Sequence, residues 1–194
     1  MIILGIDPGT ARTGWGIIKR VESSGKTKTH ELKTTNWFTV EYVAHGCIVT
    51  QKEMEMGKRL ILLRRELRKI LAQFAPECVV IERLFFGRNL LTAITVGQAK
   101  GVVIMTVAEH SRPVFEYTGL SAKLFLTGDG RADKKIVQKY IRRLLKRTKR
   151  HLPFSAKDRG FDDAADGLAI AILHASRISV VETVHGKGKV STKI

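Results

Sequence analysis

The chain has 194 residues, enough for a single domain with a sizeable core and at most a short appendage. With 44% hydrophobic and 27% charged residues it reads as a folded chain, and no apolar run approaches the length of a membrane span. Its 34 Lys and Arg against 18 Asp and Glu leave a net charge of +16, which points to a polyanionic partner, nucleic acid ahead of an anionic membrane.

The first apolar run, Ile2-Ile3-Leu4-Gly5-Ile6, ends at Asp7-Pro8-Gly9 and predicts a central strand closed by a turn. It is too short for the core of a signal peptide. Gly14-Trp15-Gly16-Ile17-Ile18 resumes the β pattern and predicts an antiparallel hairpin with the first strand. Residues 21–43 contain a polar insertion that reads as a surface loop, with an extra hairpin as the alternative. A third strand is expected to include Ala44 to Thr50. Across residues 54–74, Leu60, Leu63, Leu67, Ile70, Leu71 and Phe74 recur at spacings of three and four, predicting a helix that Pro76 stops.

Glu77 to Glu82 reads as the next buried strand, Asn89 to His110 as the next helix, and Pro113 to Tyr117 as a fifth strand. A short helix near Ser121–Leu126, a turn at Gly128-Asp129-Gly130, a basic helix from Ala132 to about Lys149 and a last helix from Asp162 to Arg177 follow. A three-strand meander followed by alternating helix and strand predicts an α/β fold, a five-stranded mixed sheet flanked by helices on both faces. This domain is expected over residues 1–177, with 178–194 as a C-terminal extension. Cys47 and Cys78 are isolated within expected strands and make neither a zinc site nor a disulfide framework, so a reducing, cytoplasmic setting is expected.

Acidic residues mark the strand ends. Asp7 closes the first strand, Glu82 closes the fourth, and Asp162, Asp163 and Asp166 stand at the start of the last helix. Asp163 and Asp166, three apart, share a helix face. Asp7 before Pro-Gly also suits a simple turn, and Asp162 is a natural N-cap. Glu82 ends a Val-Val-Ile run and needs a partner. Carboxylates gathered on one rim repel one another, and Mg²⁺ or Mn²⁺ would relieve that repulsion. Two such ions about 4 Å apart would serve in-line phosphodiester hydrolysis by water.

Five separated segments resemble the RuvC family of bacterial Holliday junction resolvases. They are Ile6-Asp7-Pro8-Gly9-Thr10 with Gly14 and Gly16, Ile81-Glu82-Arg83 with Phe85, Gly97-Gln98-Ala99-Lys100-Gly101, Pro113-Val114-Phe115-Glu116-Tyr117, and Asp163 through Ala171. The likeness spans residues 1–20 and about 45–177, in matching order and spacing. It implies an RNase H-like fold and a structure-specific endonuclease that resolves four-way DNA junctions by paired symmetric nicks in recombination and repair. It further implies Asp7, Glu82, Asp163 and Asp166 as catalytic and metal-binding acids, leaving Asp162 as a cap. Lys123 and Lys134 match basic positions near the scissile phosphate. Phe85 matches an aromatic that stacks on an unpaired base, although flanking Leu84 and Phe86 make ordinary packing an alternative. Mg²⁺, with Mn²⁺ able to substitute, is the implied cofactor at two ions per active site. The implied partners are junction DNA, a second copy in a homodimer, and the branch-migration proteins RuvA and RuvB.

The basic residues fit that reading. Lys134, Lys135, Lys139, Arg142, Arg143, Lys146, Arg147, Lys149 and Arg150 crowd one helix and its exit, with Asp133 the one acid beside them. A merely solvated face would mix its signs. Lys135, Lys139 and Arg142 therefore join Lys123 and Lys134 as candidate phosphate contacts. Two symmetric cuts imply a twofold dimer, and Gly97, Ala99, Gly101 and Ala108 suit either its interface or packing on the sheet. Gly5 to Thr10 also looks like the first phosphate loop of actin-like kinases, but 194 residues cannot hold the two domains those need. A related RNA-processing nuclease and a non-cleaving junction binder are the remaining alternatives.

Overall fold

Strand β1 (Ile2–Asp7) pairs antiparallel with β2 (Arg12–Glu22), from Ile2 opposite Lys19 to Asp7 opposite Gly14. On its other side β1 pairs in parallel with β4 (Cys78–Glu82), and β4 in turn with β5 (Val114–Tyr117). β3 (Phe38–Val49) closes the far edge against β2, giving the order β3-β2-β1-β4-β5. This computed structural model describes residues 1–22, 38–83, 90–146 and 159–178. Its mixed five-stranded sheet is the one the meander-then-alternation pattern predicts.

Helices α1 (Met56–Phe74) and α2 (Leu90–Glu109) cover one face of the sheet. α3 (Gly119–Thr127), α4 (Lys134–Lys146) and α5 (Arg159–Arg177) cover the other. Strand alternation divides the core between them. Leu4, Ile6, Val79 and Ile81 point toward α1 and α2, whereas Ile3, Cys78 and Val80 point toward α5. α1 contributes Leu63, Leu67, Ile70 and Leu71 at helical spacing, each fully buried apolar side chain being worth about 1.5–3 kcal/mol. The helix ends at Ala75, which takes a left-handed conformation (φ 43°) and returns its N–H to the Leu71 carbonyl before Pro76.

α5 lies directly on the backbone of β1 and β2. A side chain at Gly5 would collide with the Gly167 carbonyl, and one at Gly14 with the Asp163 carbonyl. Only glycine permits this approach, and it brings the acids of α5 against the end of β1. At the other end of α5, the buried Arg20 guanidinium donates to the Ala175 carbonyl at 3.1 Å and to that of Ile178 at 3.3 Å. A cation on the last carbonyls of a helix complements its dipole and ties α5 to β2.

Three sequence expectations change. The region 21–43 is not wholly an insertion: Val21, Glu22 and residues 38–43 continue the β2–β3 ladder, and only 23–37 fall outside the described residues. The Phe38-Thr39-Val40-Glu41-Tyr42-Val43 run is rich in β-branched and aromatic residues, and Val40 is buried, so packing there outweighs the interspersed polar side chains. α5 begins at Arg159, so Asp162 lies within its first turn instead of capping it. Its carboxylate accepts a hydrogen bond from Gln138 Nε2 at 2.8 Å, joining α5 to α4. Cys47, whose place in an apolar strand suggests burial like that of Cys78, is only half-buried; both are free thiols.

Candidate active site

The phase of the strands decides where the acids point. Asp7 is in step with Ile3 and Gly5, and Glu82 with Cys78 and Val80, so both carboxyls project toward α5. The parallel register places Ile6 opposite Ile81, which leaves Asp7 and Glu82 as adjacent strand ends. Their carboxyl groups are hydrogen-bonded to each other, and Asp166 of α5 stands close enough to act on both. Gly119, opening α3, leaves room for Glu82 Oε1 beside it.

This arrangement is electrostatically tense. Burial, then the Asp166 charge, pushes the Asp7 carboxyl up to about 6. Burial, then the charges of Asp7 and Asp166, pushes Glu82 up to about 8. Two basic side chains moderate the repulsion. Lys134 Nζ, at the start of α4, lies 3.5 Å from Asp166 Oδ2, and the Lys123 charge acts on Glu82 from α3. Both lysines therefore sit at the acidic rim.

Asp163 stands apart from the trio. The Arg12 guanidinium grips it through both arms, Nε to Oδ1 at 2.9 Å and Nη2 to Oδ2. This grip, helped by the Lys134 charge and then by the Cys47 thiol, holds the Asp163 carboxyl below the usual range. The shared helix face of Asp163 and Asp166 is as predicted, but their side chains have different partners. Arg12 escapes a motif reading because it falls between the matched turn Asp7–Thr10 and Gly14. Its lone basic charge beside a turn that begins at Asp7 is the signal that could have exposed it.

The other candidates lie along α4 or beyond the described residues. Val137, Ile141 and Leu145 bury one face of α4, and Lys135 and Lys139 are exposed away from it. Arg142 behaves differently: its guanidinium lies 4.5 Å over the Phe161 ring and fastens α4 to α5. Phe85, Arg147, Lys149 and Arg150 lie outside the described residues, as does the side chain of Lys146. Two matched motifs are structural. Lys100 Nζ of α2 meets Glu116 Oε1 of β5 at 2.8 Å, and the Tyr117 hydroxyl bonds to His174 Nδ1 of α5 at 3.0 Å.

As the side chains stand, no three His, Cys, Asp or Glu among the described residues form a ready metal site. Their chemistry nevertheless fits a hard divalent cation. Asp7, Glu82, Asp166 and Asp163 offer only oxygen ligands, and the raised pair carries a repulsion that such a cation would cancel.

The chain is similar to proteins of a known family. The family profile described as crossover junction endodeoxyribonuclease RuvC matches residues 3–174. A relative of that name from Roseiflexus sp. (strain RS-1) is 38% identical over 181 residues, covering 93% of this chain and 94% of its own. Another from Rubrobacter xylanophilus is 42% identical over 174 residues, covering 90% of this chain and 84% of its own. Among solved structures, Thermus thermophilus RuvC in complex with a Holliday junction substrate superposes with a TM-score of 0.71. That match has 28% identity and covers 90% of this chain and 93% of the other.

Proposed function

The chain belongs to the RuvC family of crossover junction endodeoxyribonucleases, and from that premise we propose how its rim of carboxylates resolves a four-way DNA junction. The activity is phosphodiester hydrolysis by water, made as paired symmetric nicks in the two opposed strands. The observation that carries the reading is the meeting of Asp7, Glu82 and Asp166 at adjacent ends of β1, β4 and α5. A binder that never cut would have no use for buried, mutually repelling acids, which lower stability unless they serve chemistry.

Asp7, Glu82, Asp163 and Asp166 would hold divalent ions, Mg²⁺ or Mn²⁺, at two per site. Such ions, when bound, supply Lewis acidity to the scissile phosphate and its leaving 3′-oxygen and favour ionisation of the attacking water. The protein's own part is positioning and charge. Lys134 and Lys123 flank the acids and hold the phosphate of the cleaved strand over them. Lys135 and Lys139, exposed on α4, carry the adjoining backbone without reading sequence. Phe85, immediately beyond β4 in sequence, is assigned to stack on a base splayed at the crossover.

A homodimer follows from two cuts on a twofold substrate. α2 supports it: Ile94, Ile104 and Met105 are 59%, 38% and 48% exposed, and the space in front of Gly97 and Gly101 is empty. Packing on the sheet, the other use foreseen for these glycines, is met by Ala99 and Val103 instead. RuvA and RuvB are the expected partners on the junction, and no described helix is long and apolar enough to cross a membrane.

Incubation with a mobile four-way junction, linear duplex and RNA–DNA hybrid, with and without Mg²⁺, tests the substrate. Paired symmetric nicks confined to the junction and requiring the ion are expected. Equal cutting of the hybrid would favour the RNA-processing alternative.

A further inference from the structure

Three basic side chains ring the carboxylates, and two of them, Lys134 and Lys123, have been placed on phosphate. Arg12 is the third, and it has a different relation to its acid. Lys134 merely approaches Asp166 at 3.5 Å, whereas Arg12 covers both oxygens of Asp163. A guanidinium fork on both oxygens leaves each a second lone pair, but it neutralises the carboxylate and so competes with a metal ion for its charge. Asp163 therefore meets an ion at full charge only once Arg12 has let go.

The surroundings make release easy and give Arg12 somewhere to go. Its side chain is 48% exposed and that of Asp163 is 23% exposed, so the pair is open to water and weakly held compared with a buried one. The backbone beneath it is firmly fixed. Arg12 is paired opposite Val49, and the turn before it is closed by Thr13 Oγ1, which donates to the Gly9 carbonyl at 2.7 Å. Only the side chain has to swing. A guanidinium binds phosphate with the same two-pronged geometry it uses on carboxylate, and the polyanion arrives at this rim.

Resting on the nuclease reading above, we propose that Arg12 is a phosphate-binding residue held in reserve on Asp163. In the free protein it neutralises that carboxylate. When divalent ions engage Asp163 and the junction is bound, the guanidinium transfers to a backbone phosphate of the cleaved strand. Ion loading and DNA binding are thereby coupled: each favours the exchange that the other needs, and the coupling is reciprocal. Full ion occupancy is then reached on the substrate rather than in free protein.

The test compares the wild type with Arg12→Gln and Arg12→Lys. Mg²⁺ is titrated calorimetrically into DNA-free protein. Junction affinity is measured by fluorescence anisotropy across a salt series, with Ca²⁺ in place of Mg²⁺. Loss of an exposed competitor of this kind should tighten Mg²⁺ binding by Arg12→Gln about three- to fivefold without DNA. The same variant should bind the junction more weakly, with a log–log salt slope shallower by about 0.9. Arg12→Lys should gain ion affinity yet keep most of the junction affinity, because a point charge still meets phosphate. Unchanged Mg²⁺ affinity in Arg12→Gln would overturn the proposal. So would tighter ion binding with an unchanged junction affinity and slope, which leaves Arg12 as no more than a support for Asp163. If Arg12→Gln fails to fold, Arg12→Ala, which also removes the charge, decides between the same outcomes. Cutting of the junction by wild-type protein from the same preparation separates failure of this coupling from failure of the nuclease reading.

Discussion

Asp7 and Glu82 occupy strand ends where two separate demands meet, burial and charge. Each alone would be tolerable at a rim, but together with Asp166 they hold both carboxyls well above the ordinary range. The amide of Asp7→Asn keeps the shape and removes one of the repelling charges. Without divalent ions this variant should melt a few degrees higher than wild type, a gain of about 1 kcal/mol. It should bind four-way junctions within about twofold of wild type and cut them at least about 10³-fold more slowly, since several kcal/mol of charge stabilisation are lost. Calorimetric melting, anisotropy and a nicking assay on one preparation check all three. Cutting at wild-type rates with Mg²⁺ present would remove Asp7 from the site.

At the scale of elements, α5 is the strut of the molecule, and its charge state matters beyond the acids. His174 is buried against Phe115 of β5, with ring centroids 4.2 Å apart, and its Nδ1 shares a hydrogen bond with the Tyr117 hydroxyl. Burial pushes His174 down from 6.5 to about 4, so the folded protein holds it neutral where the unfolded chain would take up a proton. Its contribution is therefore fully present above pH 6.5 and is lost as pH falls toward 4, by at most about 3 kcal/mol. Thermal melts between pH 7.5 and 4 should show this decline, and His174→Gln should flatten it. α4 offers a second test, because its exposed row faces away from its buried one. Replacing Lys134 and Lys139 with Ala should weaken junction binding broadly and reduce the salt slope by roughly 0.9 for each lost contact. An unchanged slope would move the DNA surface off α4.

Across the whole molecule the positive excess and the acids are segregated. The basic residues of α3 and α4 surround a negative centre on one side of the sheet, while α2 presents an apolar, glycine-bearing face on the other. A twofold pairing through α2 would set two acidic rims at fixed separation, as symmetric nicking requires. Gly101→Glu puts a charge into the open space on that face without disturbing the core. Light scattering should find a dimer for wild type and monomers for the variant, while the melting temperature falls only by what the lost association contributed. A dimer that survives the substitution would place the interface elsewhere.

Much of this was legible in the sequence, for local reasons. Asp7 and Glu82 end the apolar runs Ile2–Ile6 and Cys78–Ile81, which marks both as strand-end acids, and the 163/166 spacing fixes a common helix face. Other features were out of reach because they depend on partners distant along the chain. Asp162 reads as a cap, yet it bonds to Gln138 because α5 starts a turn earlier than its apolar pattern begins. Arg142 reads as one more phosphate contact, yet the Phe161 ring lies beneath it. Arg12 and Asp163 are 151 residues apart, and nothing local pairs them. Sequence by itself outlined the helices and the five strands, short of the ends of β2 and β3, since these follow from short-range spacing, and the family resemblance named the four acids. Only the tertiary structure decided which charges neutralise one another, because that depends on which glycines let α5 settle onto β1 and β2.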